Sequence, residues 1–110
     1  MIKLSGTWHV PDGVSTEEID THYFSVHVPN VRRLPKLTRH VVLKAVEFPP
    51  GTHTRCWRGA EIWFDSRADF DAAIDSPEWA AVEVDGFMPS VSGLMIDVFH
   101  VEHEWTPEGG

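Results

Sequence analysis

The chain has few cysteines, few basic residues and no long apolar run, and each scarcity disfavours a class of protein. Its 110 residues include one cysteine, Cys56, so no disulfide can form within the chain, as is typical of a reducing compartment. Nine basic residues stand against 17 acidic ones, and the net charge of −8 disfavours nucleic acid and anionic membrane surfaces as partners. With neither a signal-peptide pattern nor a membrane-length hydrophobic stretch, the sequence predicts a cytoplasmic protein with no membrane partner.

Motifs for nucleotides and metals are also missing. The sequence has no Gly-x-Gly-x-x-Gly, no P-loop and no nucleophile elbow. His53 and Cys56 have the spacing of half a zinc site, but no second half follows. His22 and His27 are five positions apart, roughly 140° around an α-helix, which does not suit one shared ion. We therefore expect neither a metal site nor a cofactor.

Hydrophobic periodicity predicts four strands and two helices. Ser15 followed by Glu18 is a capping box that predicts a helix from Thr16. Pro29 is expected to end or kink this helix near His27, and Pro77 to divide the second helix, Arg67 to Val84. The order βαββαβ indicates an α+β, ferredoxin-like fold with a four-stranded antiparallel sheet. The strands are predicted over residues 2–10, 38–48, 56–65 and 94–105.

The predicted strands are apolar on both faces. On the last strand, for example, the side chains of Leu94, Ile96 and Val98 alternate with those of Met95 and Phe99. Helices can cover only one face of such a sheet, whereas an antiparallel sheet facing water normally alternates apolar and polar residues. The pattern therefore predicts a homodimer in which two sheets pack together and close a barrel with an apolar lumen.

The first helix ends in a His-x-Pro step and a basic, proline-punctuated turn, His22-Tyr23-Phe24-Ser25-Val26-His27-Val28-Pro29 and then Leu34-Pro35-Lys36-Leu37. Two shorter segments follow, residues 61–66, and residues 75–78 with Asp85 and Phe87. In this order they resemble the EthD family of small dimeric α+β barrels, over roughly residues 2–104. The resemblance implies one EthD-like domain at 1–106, with a tail at 107–110.

His27 is the leading catalytic candidate because it occupies the His-x-Pro position of the family motif. Tyr23 lies one helical turn earlier, where its phenol could orient the imidazole. An imidazole titrates near neutrality and can act as general acid or base. The alternative is a histidine that caps the end of the helix.

Two further histidines are candidates for a second catalytic group. His40 stands where family members often carry a tyrosine, so this chain departs from the pattern there. His53 lies in the turn-rich segment between the second and third strands, where it could cover the mouth of the cavity. The alternatives are a half-exposed residue at the start of a strand and an ordinary loop histidine.

Aromatic side chains and one carboxylate are candidates for substrate binding. Glu61 lies within an apolar strand, and a carboxylate in the barrel lumen would have a raised pKa. Its alternative is an ion pair with Arg39, Lys44 or Arg58 across the sheet, and the alternative for the rings is ordinary packing. The predicted aromatic cavity wall comprises Trp8, Trp57, Trp63 and Phe99.

Relatives that share this fold include muconolactone isomerases, polyketide cyclases and quinone-forming monooxygenases, so the resemblance implies a cofactor-independent enzyme. Its substrate would be a small aromatic, polyketide-like or lactone molecule. Proton transfer by histidine, in an isomerisation, cyclisation or elimination, suits this sequence better than cofactor-free oxygenation. The alternative is a non-catalytic protein that binds a hydrophobic molecule or assists an oxygenase, and haem binding is a third.

Overall fold

A computed structural model describes residues 1–108 of the chain. These residues form four strands, β1 to β4, and five short helices, α1 to α5, and α1 and α2 are joined by one π-helical turn, Tyr23–His27. In chain order the elements are β1 Ile2–His9, α1 Thr16–His22, α2 Val28–Val31, β2 Arg39–Lys44, β3 Arg58–Phe64, α3 Arg67–Ile74, α4 Pro77–Val84, α5 Phe87–Ser90 and β4 Ser92–His100.

The strands form one antiparallel sheet in the order β2-β3-β1-β4. On the central strand β1, Leu4 lies opposite Ile62 of β3 and Val98 of β4. This arrangement confirms the predicted α+β, ferredoxin-like fold with its βαββαβ order.

The first helical segment begins where the sequence predicts. The Ser15 hydroxyl accepts a hydrogen bond from the Glu18 N–H at 3.1 Å and so caps α1. The helix does not end at His27. Its backbone widens into the π-helical turn, in which the Val28 N–H donates to the Tyr23 carbonyl, and it resumes as α2. Pro29, which has no N–H to donate, lies in the first turn of α2, where a proline is tolerated.

The second helical segment divides at Pro77 as predicted. Ser66 caps α3 by accepting from the Asp69 N–H, and Ser76 caps α4 by accepting from the Trp79 N–H. Helix α5 was not predicted, because four residues carry too little periodicity to show in the sequence. On the inner side of α3 and α4, Phe70, Ala73 and Val82 are buried, with Ile74 and Trp79 packed against them.

Strand ends differ from the sequence prediction because a strand stops where its partner does. β2 ends at Lys44, not at residue 48, and Ala45 makes the last bond, from its N–H to the Trp57 carbonyl. β4 ends at His100, which pairs with Ile2 near the start of β1, and not at residue 105. The predicted tail at 107–110 lies partly outside the described residues, and Pro107 and Glu108 are exposed.

The sheet has one covered face and one open face. On the covered face, helices bury Ile2, Trp8, Ile62 and Phe64. The open face carries a 2.7 Å ion pair between Lys3 and Glu61, beside a set of apolar side chains, Val41, Leu43, Trp63, Met95 and Phe99. None of the helices within residues 1–108 is both long and apolar enough to cross a membrane.

Candidate active site

A cavity of about 70 Å³ lies between the helices and the covered face of the sheet. It lies within a single chain, whereas the predicted lumen was on the side where two sheets would meet. It arises because the helices do not seal the sheet completely. Its wall is almost entirely apolar, and three titratable side chains interrupt it: Tyr23, His27 and His40.

The π-helical turn brings Tyr23 and His27 to this wall. The two rings lie 5.7 Å apart between centroids, and Phe87 of α5 packs 4.5 Å from the His27 ring. Trp8 of β1 contacts both Tyr23 and Phe87, at 4.9 and 5.1 Å. These four rings form one aromatic cluster that supports the imidazole, and Trp8, a predicted residue of the cavity wall, lies in it and lines the cavity.

Asp85 is the residue that orients His27. Its Oδ2 lies 2.8 Å from the Nδ1 of His27, and it also accepts a hydrogen bond from the side-chain amide of Asn30. Its Oδ1 accepts from the Phe87 N–H at 2.9 Å. The carboxylate is 3% exposed and is an acceptor for all three groups. The Nδ1 of His27 therefore carries the proton, and Nε2 is left with its lone pair as a base.

Burial lowers the pKa of His27, and the nearby Asp85 carboxylate, which acts in the opposite direction, does not offset the burial. The imidazole is therefore neutral at pH 7 and ready to accept a proton. When it does, the Asp85 carboxylate stabilises the resulting imidazolium. Tyr23 contributes ring packing to His27, and the orienting hydrogen bond, which the sequence assigned to its phenol, comes from Asp85 instead.

Asp85 belongs to the segments that resemble the EthD family, but the sequence predicted no role for it. Asp85 follows the last residue of α4, and a negative charge is unfavourable at the C-terminal end of a helix. A carboxylate at this position must therefore be stabilised by other contacts. Gly86, at a φ of 85°, reverses the chain so that the aspartate also caps the start of α5. This turn aims the carboxylate back at the first helical segment.

His40 faces the same cavity from β2. Its Nδ1 lies 3.3 Å from the Nε of Arg32, and a guanidinium can only donate. Burial, the Arg32 charge and His27 together lower the pKa of His40. The neutral ring therefore accepts on Nδ1 and carries its proton on Nε2. The Nε2 of His40 therefore offers a hydrogen-bond donor, and the Nε2 of His27 offers a lone pair.

Tyr23 stays protonated across the working range of most enzymes. It is 1% exposed, and burial raises the pKa of its phenol to about 12. The neighbouring Trp8 is 3% exposed, and among the described residues no group accepts from its indole N–H. Both are polar groups set in an otherwise apolar wall, where an acceptor on a bound molecule could pair with them.

The structure does not bring the other predicted site residues to the cavity. Trp57 donates a hydrogen bond from its indole N–H to Asp20 of α1. His53 is exposed in the connection between β2 and β3, residues 45–57. The remaining three lie on the open face of the sheet: Glu61, Trp63 and Phe99.

Metal ligation finds no support in residues 1–108, where no three His, Cys, Asp or Glu side chains come together. His22 and His27 nevertheless contact the same residue, which their α-helical spacing does not indicate. The Nε2 of His22 lies 3.1 Å from the Asp85 carbonyl oxygen, and His27 binds the carboxylate of the same residue. The π-helical turn changes the rotation between positions 22 and 27 and turns both rings toward α5.

Comparison with solved structures shows the fold in other proteins. A crystal structure of an EthD family protein from Bacillus halodurans C-125 is similar at a TM-score of 0.80 and 23% identity, covering 93% of this chain and 99% of that one. A dimeric ferredoxin-like protein from Thermobifida fusca YX has a TM-score of 0.65 and 15% identity, covering 91% and 90%. The cofactor-independent oxygenase SnoaB from Streptomyces nogalater, in a mutant form, has a TM-score of 0.68 and 12% identity, covering 94% of each chain.

A search of curated proteins finds no match. At these identities the structural similarity shows the fold alone. The family assignment rests on the sequence, since the EthD domain model matches residues 11–88, which include the π-helical turn, His40 and Asp85. The chain therefore belongs to the EthD domain family.

Proposed function

We propose that this protein is a cofactor-independent enzyme that transfers protons on a small, largely apolar molecule, in an isomerisation, cyclisation or elimination. The observation that carries the proposal is the 2.8 Å contact between His27 and the buried Asp85 at an apolar cavity. Such a pair holds an imidazole in one tautomer with its free nitrogen as the base. Aromatic, polyketide-like and lactone molecules are the substrate classes that an apolar wall with aromatic rings accommodates.

We also propose that the protein is a homodimer joined through the open faces of two sheets. The exposed apolar side chains on that face, including Leu43, Met95 and Phe99, support this arrangement. The similar protein from Thermobifida fusca is described as dimeric. In such a dimer each chain keeps its own cavity, because the cavity lies on the other side of the sheet.

His27→Gln tests the catalytic proposal whichever compound is the substrate. Isomerisation, cyclisation and elimination of carbonyl compounds share the removal of a proton from carbon. We therefore expect the protein to accelerate deuterium incorporation from D₂O into members of a panel of small cyclic ketones and unsaturated lactones. The substitution should lower that rate by roughly 10²- to 10⁴-fold, the usual contribution of a positioned base. NMR spectroscopy of the panel compounds measures the rate.

Two further variants define the role of the pair. Asp85→Asn keeps the shape of the side chain but allows either histidine tautomer, so the exchange rate should fall while binding of the panel compound is retained. His103→Gln, an exposed histidine in the C-terminal segment, is the matched control and should leave the rate unchanged. If His27→Gln binds and exchanges like the parent protein, the function is instead that of a binding protein.

A further inference from the structure

The two cavity histidines have opposite hydrogen-bonding roles. His27 donates a hydrogen bond from its Nδ1–H to the Asp85 carboxylate and presents a lone pair on Nε2. His40 receives a hydrogen bond from Arg32 on Nδ1 and presents an N–H on Nε2. A molecule that satisfies both groups must offer a removable proton and, close to it, an acceptor atom.

We propose, building on the proton transfer by His27, that His40, held and polarised by Arg32, binds an oxyanion, and that the substrate is a small apolar carbonyl compound with a C–H beside its carbonyl. Apart from the Tyr23 hydroxyl and the Trp8 indole N–H, the wall around the two histidines consists of apolar side chains, including Leu4, Val31 and Ile62. Such a wall cannot solvate a developing negative charge, so a charge on the carbonyl oxygen has to be met by a specific donor. Among the described cavity residues, the Nε2–H of His40 is a donor with a cation directly behind it.

The reaction step balances with these residues alone. The Nε2 of His27 takes a proton from the carbon next to the carbonyl, and the C–H electron pair moves into the adjoining C–C bond. The carbonyl π electrons move onto oxygen to give an enolate. The oxygen accepts the hydrogen bond of His40, and the Asp85 carboxylate stabilises the imidazolium of His27. In a substrate whose enolate is conjugated with a further C=C bond, return of the proton to the carbon at the far end of the dienolate moves the double bond, completes an isomerisation and restores His27.

Arg32 acts in this scheme as a positioning residue. Its guanidinium is exposed at the surface and does not line the cavity, so it does not touch the substrate. Its Nε–H fixes the His40 tautomer with Nε2 protonated. Its positive charge makes that N–H a stronger donor, as expected for hydrogen bonds assisted by a charge.

Binding of 4-nitrophenol tests this pair directly, since its phenolate mimics an enolate oxygen and absorbs visible light when ionised. At a fixed pH we expect the bound probe to be more ionised than the free probe. Arg32→Gln should weaken phenolate binding by about tenfold, a modest loss because the guanidinium is exposed to solvent. His40→Gln should weaken it at least as much. Arg32→Lys, which keeps the charge, should recover part of the affinity.

Two controls separate this role from general effects. Nitrobenzene has the same ring without the oxygen, so Arg32→Gln should leave its affinity unchanged if the cavity is intact. Arg39→Gln removes the same charge next to His40 in sequence, but on the open face, where the guanidinium lies 5.3 Å over the Trp63 ring. It should bind the phenolate like the parent protein.

The proposal is overturned if the parent protein binds the probe as the neutral phenol. It is also overturned if Arg32→Gln and Arg39→Gln weaken the phenolate equally, or if nitrobenzene affinity falls in parallel. His27→Gln distinguishes this result from the proposed function: it should still bind the phenolate but lose deuterium exchange. Exchange that survives in His27→Gln would remove the catalytic role while leaving the oxyanion measurement valid.

Discussion

Both faces of the sheet carry apolar side chains, but they differ in what covers those side chains. On the covered face Phe64 is fully buried under the helices, while on the open face Phe99 is 46% exposed and has a Lys3 ammonium 5.9 Å from its ring centroid. The covered face also contains the cavity with its two histidines. One sequence pattern, a strand apolar on both sides, therefore has two different outcomes: a buried core that contains a cavity, and an exposed apolar surface on which we propose that a second copy packs.

The largest expected effect is on the covered face. Phe64→Ala should lower the free energy of unfolding by about 3–5 kcal/mol, because it leaves a cavity among Ile2, Phe70 and Ala73. Urea denaturation followed by fluorescence measures the loss. Phe48→Ala, at a phenylalanine that is 90% exposed, is the matched control and should cost less than about 0.5 kcal/mol. Equal losses in the two variants would contradict the division between the faces.

A charge on the open face should separate the dimer and leave the chain folded. We expect light scattering to give twice the 12.4 kDa chain mass for the parent protein and a single chain mass for Phe99→Glu. The reason is that an unpaired carboxylate is costly to bury at an apolar interface. Val84→Glu, which places the same charge on an exposed valine of α4, should remain dimeric. A monomeric parent protein, or a dimeric Phe99→Glu, would show that the open face is not an interface.

The smallest effect concerns pH. The pKa values of His27 and His40 are lowered in the folded protein, mainly by burial, whereas both return to about 6.5 in the unfolded chain. The unfolded state therefore binds more protons as the pH falls. Above about pH 6.5 both histidines are neutral in both states and do not reduce the free energy of unfolding. Below that pH they reduce it, because the unfolded chain takes up the protons first. The free energy of unfolding of the parent protein should fall more steeply on acidification than that of His27→Gln/His40→Gln. Parallel curves would show that these rings are not buried as described.

Local rules accounted for most of the fold. The Ser15 cap, the division at Pro77 and the βαββαβ order follow from short-range patterns, and all three are present in the structure. The ends of the strands were harder to predict from the sequence, because β2 and β4 stop where β3 and β1 no longer offer a partner. That information lies on another strand: beyond Ala45 and Val101, which make the last backbone hydrogen bonds, residues 46–48 and 102–105 have no strand beside them.

The site was accessible only in part. His27 and Tyr23 were singled out by the His-x-Pro motif, and they line the cavity together with His40. The partner of His27 was assigned to the wrong neighbour, because helical spacing shows Tyr23 close by but cannot show Asp85, which is 58 positions away. No feature of the sequence indicated which face of the sheet would carry the side chains of Glu61, Trp63 and Phe99.

By itself, the sequence determined the class of fold, the family and the residues able to exchange protons, because capping, turn chemistry and periodicity act over a few positions. Only the tertiary structure decided which side of the sheet holds the cavity and which hydrogen bond each histidine makes. Those depend on contacts between distant segments: α5 brings Asp85 to His27, and the end of α2 brings Arg32 to His40. Two histidines that look equivalent along the chain thereby present opposite groups, a lone pair on His27 and an N–H on His40.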